Sequence, residues 1–107
     1  MAEASEVVVR DNAVASRYEL LVDGTRAAEL DYLPTRGDAV VLVHTEVAPE
    51  VEGRGLGGRL IAGALEDLRA RGQSVIPVCP FASAYLQRHP EYADLLERKK
   101  APAREGG

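Results

Sequence analysis

The spacing of apolar positions changes period once along the chain. Up to residue 47 apolar and polar residues largely alternate, the two-residue period of half-buried strands. From Leu56 onward they recur every three or four residues, the period of a helix lying on a core. The alternating half predicts four strands. Glu6 to Asn12 carries the β-branched run Val7-Val8-Val9 and reads as an edge strand. Ser16 to Val22 sets Tyr18, Leu20 and Val22 against Arg17, Glu19 and Leu21. Asp23-Gly24 is a two-residue hairpin signal. Thr25 to Leu33 then puts Ala28, Leu30 and Tyr32 on one face, with Glu29 and Asp31 on the other. After a turn at residues 34–38, Ala39 to Val47 is the most apolar strand. Strict alternation there places Val41, Val43, Thr45 and Val47 on one face, and Val40, Leu42, His44 and Glu46 on the other.

The helical half begins with Leu56, Leu60, Ile61, Ala64, Leu65 and Leu68 on one stripe, and stops at Gly72 after a basic last turn. Ser74 to Cys79 predicts a short strand whose Pro77 calls for an edge or a bulge. Phe81 to Arg88 predicts a short helix, ended before Pro90. Glu91 to Arg98 predicts a last turn or two of helix. Residues 1–5 and 99–107 read as flexible tails around one domain at 6–98. An antiparallel meander followed by helix, strand and helix is an α+β arrangement, with helices packed on one mixed sheet.

Composition narrows the function. A chain of 107 residues supports one modest core. A net charge of −4 argues against nucleic acid as a partner. No apolar run is long enough to span a membrane, and the acidic, polar start is no secretory signal. One cysteine excludes an internal disulfide, and His44 and His89 have no metal-ligand spacing. These readings favour a cytoplasmic, metal-free protein whose oligomeric state stays open.

Between the two halves lies the densest feature of the chain: glycines at 53, 55, 57 and 58, at a strand-to-helix junction. Glycine there lets a phosphate approach unpaired helix N–H groups without a Cβ in the way. Gly53-Arg54-Gly55-Leu56-Gly57-Gly58 spells a dinucleotide fingerprint. That motif, however, wants a βαβ unit opening a parallel sheet and an acidic residue about 20 positions on, whereas here the loop follows four antiparallel strands and residues 72–79 hold no Asp or Glu. Arg59-Leu60 stands where a triphosphate loop needs Lys and Ser or Thr. A structural reading, glycines for a tight turn and close helix packing, stays open beside the cradle.

Glu52-Gly53-Arg54-Gly55-Leu56-Gly57 resembles the acyl-CoA motif Gln/Arg-x-x-Gly-x-Gly/Ala of the GNAT superfamily of N-acetyltransferases, with Glu at the first place. His44-Thr45-Glu46-Val47, Pro77-Val78-Cys79-Pro80-Phe81 and Arg88-His89-Pro90-Glu91-Tyr92 are similar to hallmarks of its minimal GNAT-like subfamily. The likeness spans residues 6–96. It implies splayed central strands with acetyl-CoA, the acyl donor, between them, and an amine acceptor that is a small molecule or a protein. On that reading Val47, Glu52, Gly53, Arg54, Gly55, Leu56, Gly57, Gly58, Arg59 and Arg88 face the cofactor, although Arg88 also suits a helix cap. Glu46 or His44 would take the proton of the amine. Tyr85 would donate to the leaving thiolate, or simply pack on the sheet. Cys79 is either a small buried hydrophobe or a thiol that accepts the acetyl group. Glu29, Asp31, Glu50 and Glu52 can attract a cationic amine. A non-catalytic acyl-CoA-binding module of the same fold is the alternative.

Overall fold

The computed structural model describes residues 6–96. The expected tails at 1–5 and 99–107, and the end of the helical stretch reaching to Arg98, lie outside the described residues. Five strands form one sheet in chain order: β1 (Val7–Asn12), β2 (Arg17–Val22), β3 (Thr25–Pro34), β4 (Ala39–Val47) and β5 (Ser74–Pro77). The first three pairings are antiparallel, and β4 pairs β5 in parallel. The β2–β3 hairpin closes on Val22 opposite Thr25, with Asp23 at φ 51° and Gly24 at φ 86°. Two left-handed residues in a row match the twist of the flanking strands.

Two bulges reset which residues face the core. In β3, Leu20 pairs with Ala28 but Leu21 with Arg26, leaving Ala27 as the extra residue, and both alanines are buried. In β4, Asp31 pairs with His44 but Tyr32 with Leu42, so Val43 is the extra residue. An inserted residue shifts a period of two by one place. The expected facing of β4 is therefore corrected. Val40 and Leu42 are buried in the core, and beyond the bulge it is Val47 that packs against that core. His44 and Glu46 are turned to the opposite, open face.

Helix α1 (Leu56–Ala70) buries the whole predicted stripe, Leu56, Leu60, Ile61, Ala64, Leu65 and Leu68. It lies close enough to β1 that a Cβ on Gly63 would come within 2.8 Å of Val9. Polar contacts fix its far end. The Tyr18 hydroxyl donates to Asp67 at 2.6 Å, and Arg71 bridges Asp67 at 2.9 Å and Asp11 at 3.1 Å. Strand β5 ends at Pro77, two residues earlier than expected, because Val78 and Cys79 both turn their N–H groups onto the Leu42 carbonyl. Helix α2 (Pro80–Arg88) starts one residue earlier than expected, with proline in its first turn, where no donor is needed. The expected terminal helix is a 3₁₀ stretch, Pro90–Leu95. Leu96 then forms a parallel bridge to Val75 on the outer edge of β5.

The open face of the sheet carries charge. Glu19 is only 2% exposed, yet it accepts from Asn12 at 3.0 Å, Arg17 at 2.8 Å and Arg10 at 3.0 Å. Those bonds, Asn12 first and then Arg17, hold its carboxyl down at about 2 against the opposing effect of burial. A depressed carboxyl stabilises the fold above the unfolded value of about 4.3 and loses that contribution as the pH falls toward 2. Glu19→Gln is therefore expected to cost about 2 kcal/mol at pH 7. The Tm gap to wild type should shrink between about pH 4 and pH 2.5. A gap independent of pH would show that the charge of Glu19 does not stabilise the sheet.

Candidate active site

The site begins where β4 and β5 part. Their pairing ends at Leu42 opposite Pro77, while β4 runs on to Val47. The chain beyond β5 peels away, and a wedge opens beside residues 43–47. The end of β4 is tied down by the Ala48 N–H donating to the Ala27 carbonyl. A 3₁₀ turn at Pro49–Val51 then leads into the glycine loop.

The four glycines divide into two kinds. Gly53 at φ 87° and Gly55 at φ 75° are required by backbone conformation, and a Cβ on either would meet nothing within 4 Å. Gly55 is the N-cap of α1, without a side-chain cap bond, and the first turn holds no acidic residue. The helix N-terminus thus keeps unsatisfied N–H groups and about half a positive charge in front of open space, the setting an anionic oxygen would fill. Gly57 is required by crowding: a Cβ there would lie 2.7 Å from Phe81 Cζ and 3.4 Å from Val47 Cγ2. A Cβ on Gly58 would make ordinary contact with Tyr85 at 3.5 Å. Cradle and close packing both hold, at different glycines of the same loop.

A cavity of about 370 Å³ runs from this loop to the wedge, lined by Gly53, Gly55, Gly57, Val47, Thr45 and Phe81 among others. Glu52, Leu56 and Gly58 also border it. Arg54 and Arg59 are exposed, and among the described residues neither has an ion-pair partner. Arg88 sits in the last turn of α2, exposed, and does not line this cavity. A second cavity of about 600 Å³ lies against Arg26, Glu29 and Glu46, and shares Thr45, Val47 and Glu52 with the first. Thr45 to Val47 is the wall between them.

The expected chemical groups fall into three places rather than one. Cys79 is buried, and its Sγ lies 3.1 Å from Thr45 Oγ1 on the helix side of β4. His44 Nε2 and Glu46 Oε2 lie 3.7 Å apart on the open face, with side chains 57% and 68% exposed. Tyr85 stacks on His89 with ring centroids 3.9 Å apart, against Gly58. Burial, followed by Glu91 and Glu66, pushes its hydroxyl above the usual tyrosine value. The sequence reading missed Thr45 and Phe81 as wall residues. A hydroxyl inside a valine run was the available signal for Thr45. For Phe81, the signal was an aromatic in the first turn of a helix that faces a glycine-lined one.

The model of the GCN5-related N-acetyl-transferase family matches residues 17–95. The chain belongs to that family. Solved structures agree on the GCN5-related fold. A GCN5-like protein of Staphylococcus aureus is similar over 94% of this chain and 95% of its own, with a TM-score of 0.64 and 21% identity. The ribosomal-protein-S18-alanine N-acetyltransferase of Escherichia coli matches with a TM-score of 0.57 and 22% identity, over 67% of this chain and 49% of its own. A GNAT acetyltransferase of Brucella melitensis, solved with acetyl-CoA, gives a TM-score of 0.53 and 24% identity, over 62% of this chain and 48% of its own. This GCN5-related chain thus spans nearly all of the first of these and about half of the other two. No protein of curated function matches it significantly.

Proposed function

We propose that this chain is an acetyl-CoA-dependent N-acetyltransferase that passes an acetyl group to a cationic amine. The observation that carries the reading is the pair of cavities meeting at Thr45–Val47, one cupped by the glycine loop and the other bordered by carboxylates. The N–H groups of α1 and its Gly53–Gly55 approach would hold the pyrophosphate, with Arg54 and Arg59 adding positive charge in a chain whose net charge is −4. The wedge beside residues 43–47 offers unpaired strand backbone along which the pantetheine arm can bond. The thioester would then lie at Thr45, next to Cys79. Arg88, in the last turn of α2, does not border that cavity, and a cap at the helix end suits it better than a phosphate contact.

On the other side of the wall, Glu29, Glu46 and Glu52 would draw in a protonated amine, and Glu46, with His44 beside it, would take the proton that the attacking amine must lose. The buried thiol of Cys79 lies against the Thr45 hydroxyl, and Tyr85, packed against Gly58 of the same cavity, would donate to the departing thiolate. This arrangement favours direct transfer. Calorimetric titration with acetyl-CoA, alongside CoA release with a panel of amines, tests the reading. Binding together with amine-dependent release is expected. Binding without release from any amine would assign the chain instead to non-catalytic acyl-CoA binding. An acetyl adduct on Cys79 in the intact mass would replace direct transfer with a relay through the thiol.

A further inference from the structure

The two edges of the sheet differ in how they are protected. Strand β5 has four residues, carries Pro77, and is bridged on its outer side by Leu96 opposite Val75. Strand β1 lies at the other edge, and among the described residues no strand pairs with its outer side. It has six residues, Val-Val-Val-Arg-Asp-Asn, with no proline, no lysine and no bulge in its register with β2. Those are the devices that keep an edge strand from pairing. The Asp23 N–H donates to the Glu6 carbonyl at 2.8 Å, which makes Glu6 and Asp23 a hydrogen-bonded pair. By alternation Val8 and Arg10 also bond inward to β2, while the N–H and C=O groups of Val7, Val9 and Asp11 point outward.

The side chains along this edge suit a second copy of the same strand. Val7 and Val9 pack against the core on the helix side. Glu6, Val8 and Arg10 alternate with them on the open face, where Val8 is 43% exposed and lies opposite Leu21. A twofold axis normal to the sheet runs two β1 strands antiparallel and keeps both helical layers on one side. Residues of like facing then oppose each other, and charge selects the register. Centred on Arg10, the strands set Arg10 against the partner's Arg10. Centred on Val9, they set Val8 against the partner's Arg10 and Glu6 against the partner's Asn12. Centred on Val8, they set Val8 against the partner's Val8, Val7 against the partner's Val9, and Glu6 against the partner's Arg10. Of these three registers only the last forms ion pairs, one on each side of the axis. Arg10 holds Glu19 through Nε and Nη2, and its guanidinium carries further donors for the partner's Glu6.

We infer that the chain forms a twofold dimer by pairing its β1 strands about Val8, so that two five-stranded sheets become one continuous sheet. Val7 and the partner's Val9 form a hydrogen-bonded pair on each side of the axis, and each such pair exchanges two backbone bonds. On the open face Leu21, Val8, the partner's Val8 and the partner's Leu21 make a continuous apolar strip. The glycine-loop cavity borders β4, and the open-face cavity borders β3 and β4, so both stay clear of the new contact. The dimer therefore stands whether or not the acetyltransferase reading holds. One strand from each copy makes a narrow interface, and association is correspondingly weak, with a Kd on the order of 10 µM.

Sedimentation velocity on the full chain, from about tenfold below to about tenfold above that concentration, tests the inference. Wild type is expected to pass from monomer to dimer across the range. Val8→Lys and Val8→Glu each place like charges directly opposite one another, and each is expected to raise the Kd about tenfold or more while circular dichroism shows the fold retained. Mixing the two variants in equal amounts sets lysine against glutamate and should restore the dimer. Val14→Lys, at a fully exposed position in the β1–β2 turn, should dimerise like wild type. Amide exchange over residues 6–12 should slow as protein concentration rises. A wild type that stays monomeric throughout overturns the inference, as does protection of residues 6–12 that is independent of concentration, since another part of the same chain then covers the edge. Val8 variants that dimerise as tightly as wild type, or an equal mixture of the two that stays monomeric, overturn it as well.

Discussion

Replacing Gly55 with glutamate is expected to weaken acetyl-CoA binding about a hundredfold while leaving the protein folded. Gly55 sits at φ 75°, where any residue with a Cβ is strained by about 1–2 kcal/mol. A Cβ there meets nothing within 4 Å, so the strain is a backbone cost rather than a clash, and the fold should survive it. Binding suffers for two further reasons. The carboxylate caps the N–H groups that would otherwise receive a phosphate, and it places a like charge beside an anionic guest. A charge at this helix end is worth about 0.3–1 kcal/mol. Together with the lost backbone bonds the total comes to about 3 kcal/mol, or two decades in Kd. Calorimetry on wild type, Gly55→Glu and Gly55→Ala separates the contributions, since alanine carries the strain without the charge and should lose about tenfold or less. Equal affinity of the glutamate variant and wild type would mean that the α1 N-terminus does not hold the pyrophosphate.

The parts of this fold that were legible in sequence are those fixed by neighbouring residues. The change from two-residue to helical spacing, the Asp23-Gly24 hairpin, the stop at Gly72 and the glycine-dense junction each depend on a few consecutive positions. The bulges at Ala27 and Val43 do not. Each is defined by which residue of another strand lies opposite, and a run such as Val40-Val41-Leu42-Val43 is apolar in either register. That single shift decides on which side of β4 the chemistry stands. Glu19 shows the same limit. Its carboxylate looks like any solvated strand charge, but side chains from three strands enclose it. The Cys79–Thr45 contact joins residues 34 positions apart. Family resemblance named candidate site residues, but it did not carry their grouping into helix-side and open-face sets.

That grouping makes Glu46 the residue whose loss should matter most to turnover. Glu46→Gln is expected to lower kcat about a hundredfold, within the usual range for a general base, and to leave the Kd of acetyl-CoA unchanged. The separation follows from the wall. The glycine-loop cavity is lined by the loop and Phe81, whereas Glu46 borders only the open-face cavity, with Glu29; Glu52 borders both. The amide keeps the shape of the carboxylate but cannot accept a proton, so the loss falls on chemistry rather than on donor binding. A smaller rise in KM for a cationic amine should accompany it, since one of three carboxylates is neutralised. His44 lies 3.7 Å from Glu46, too far for a hydrogen bond. His44→Gln is therefore expected to cost only about tenfold, through the local field rather than through direct proton transfer. Steady-state kinetics with a saturating amine, beside calorimetry for acetyl-CoA, read the two effects separately. An unchanged kcat in Glu46→Gln would move the controlling chemistry through the wall to the helix side. Cys79 and Thr45 would then be the groups left in reach of the thioester, and transfer through the thiol would become the reading to test.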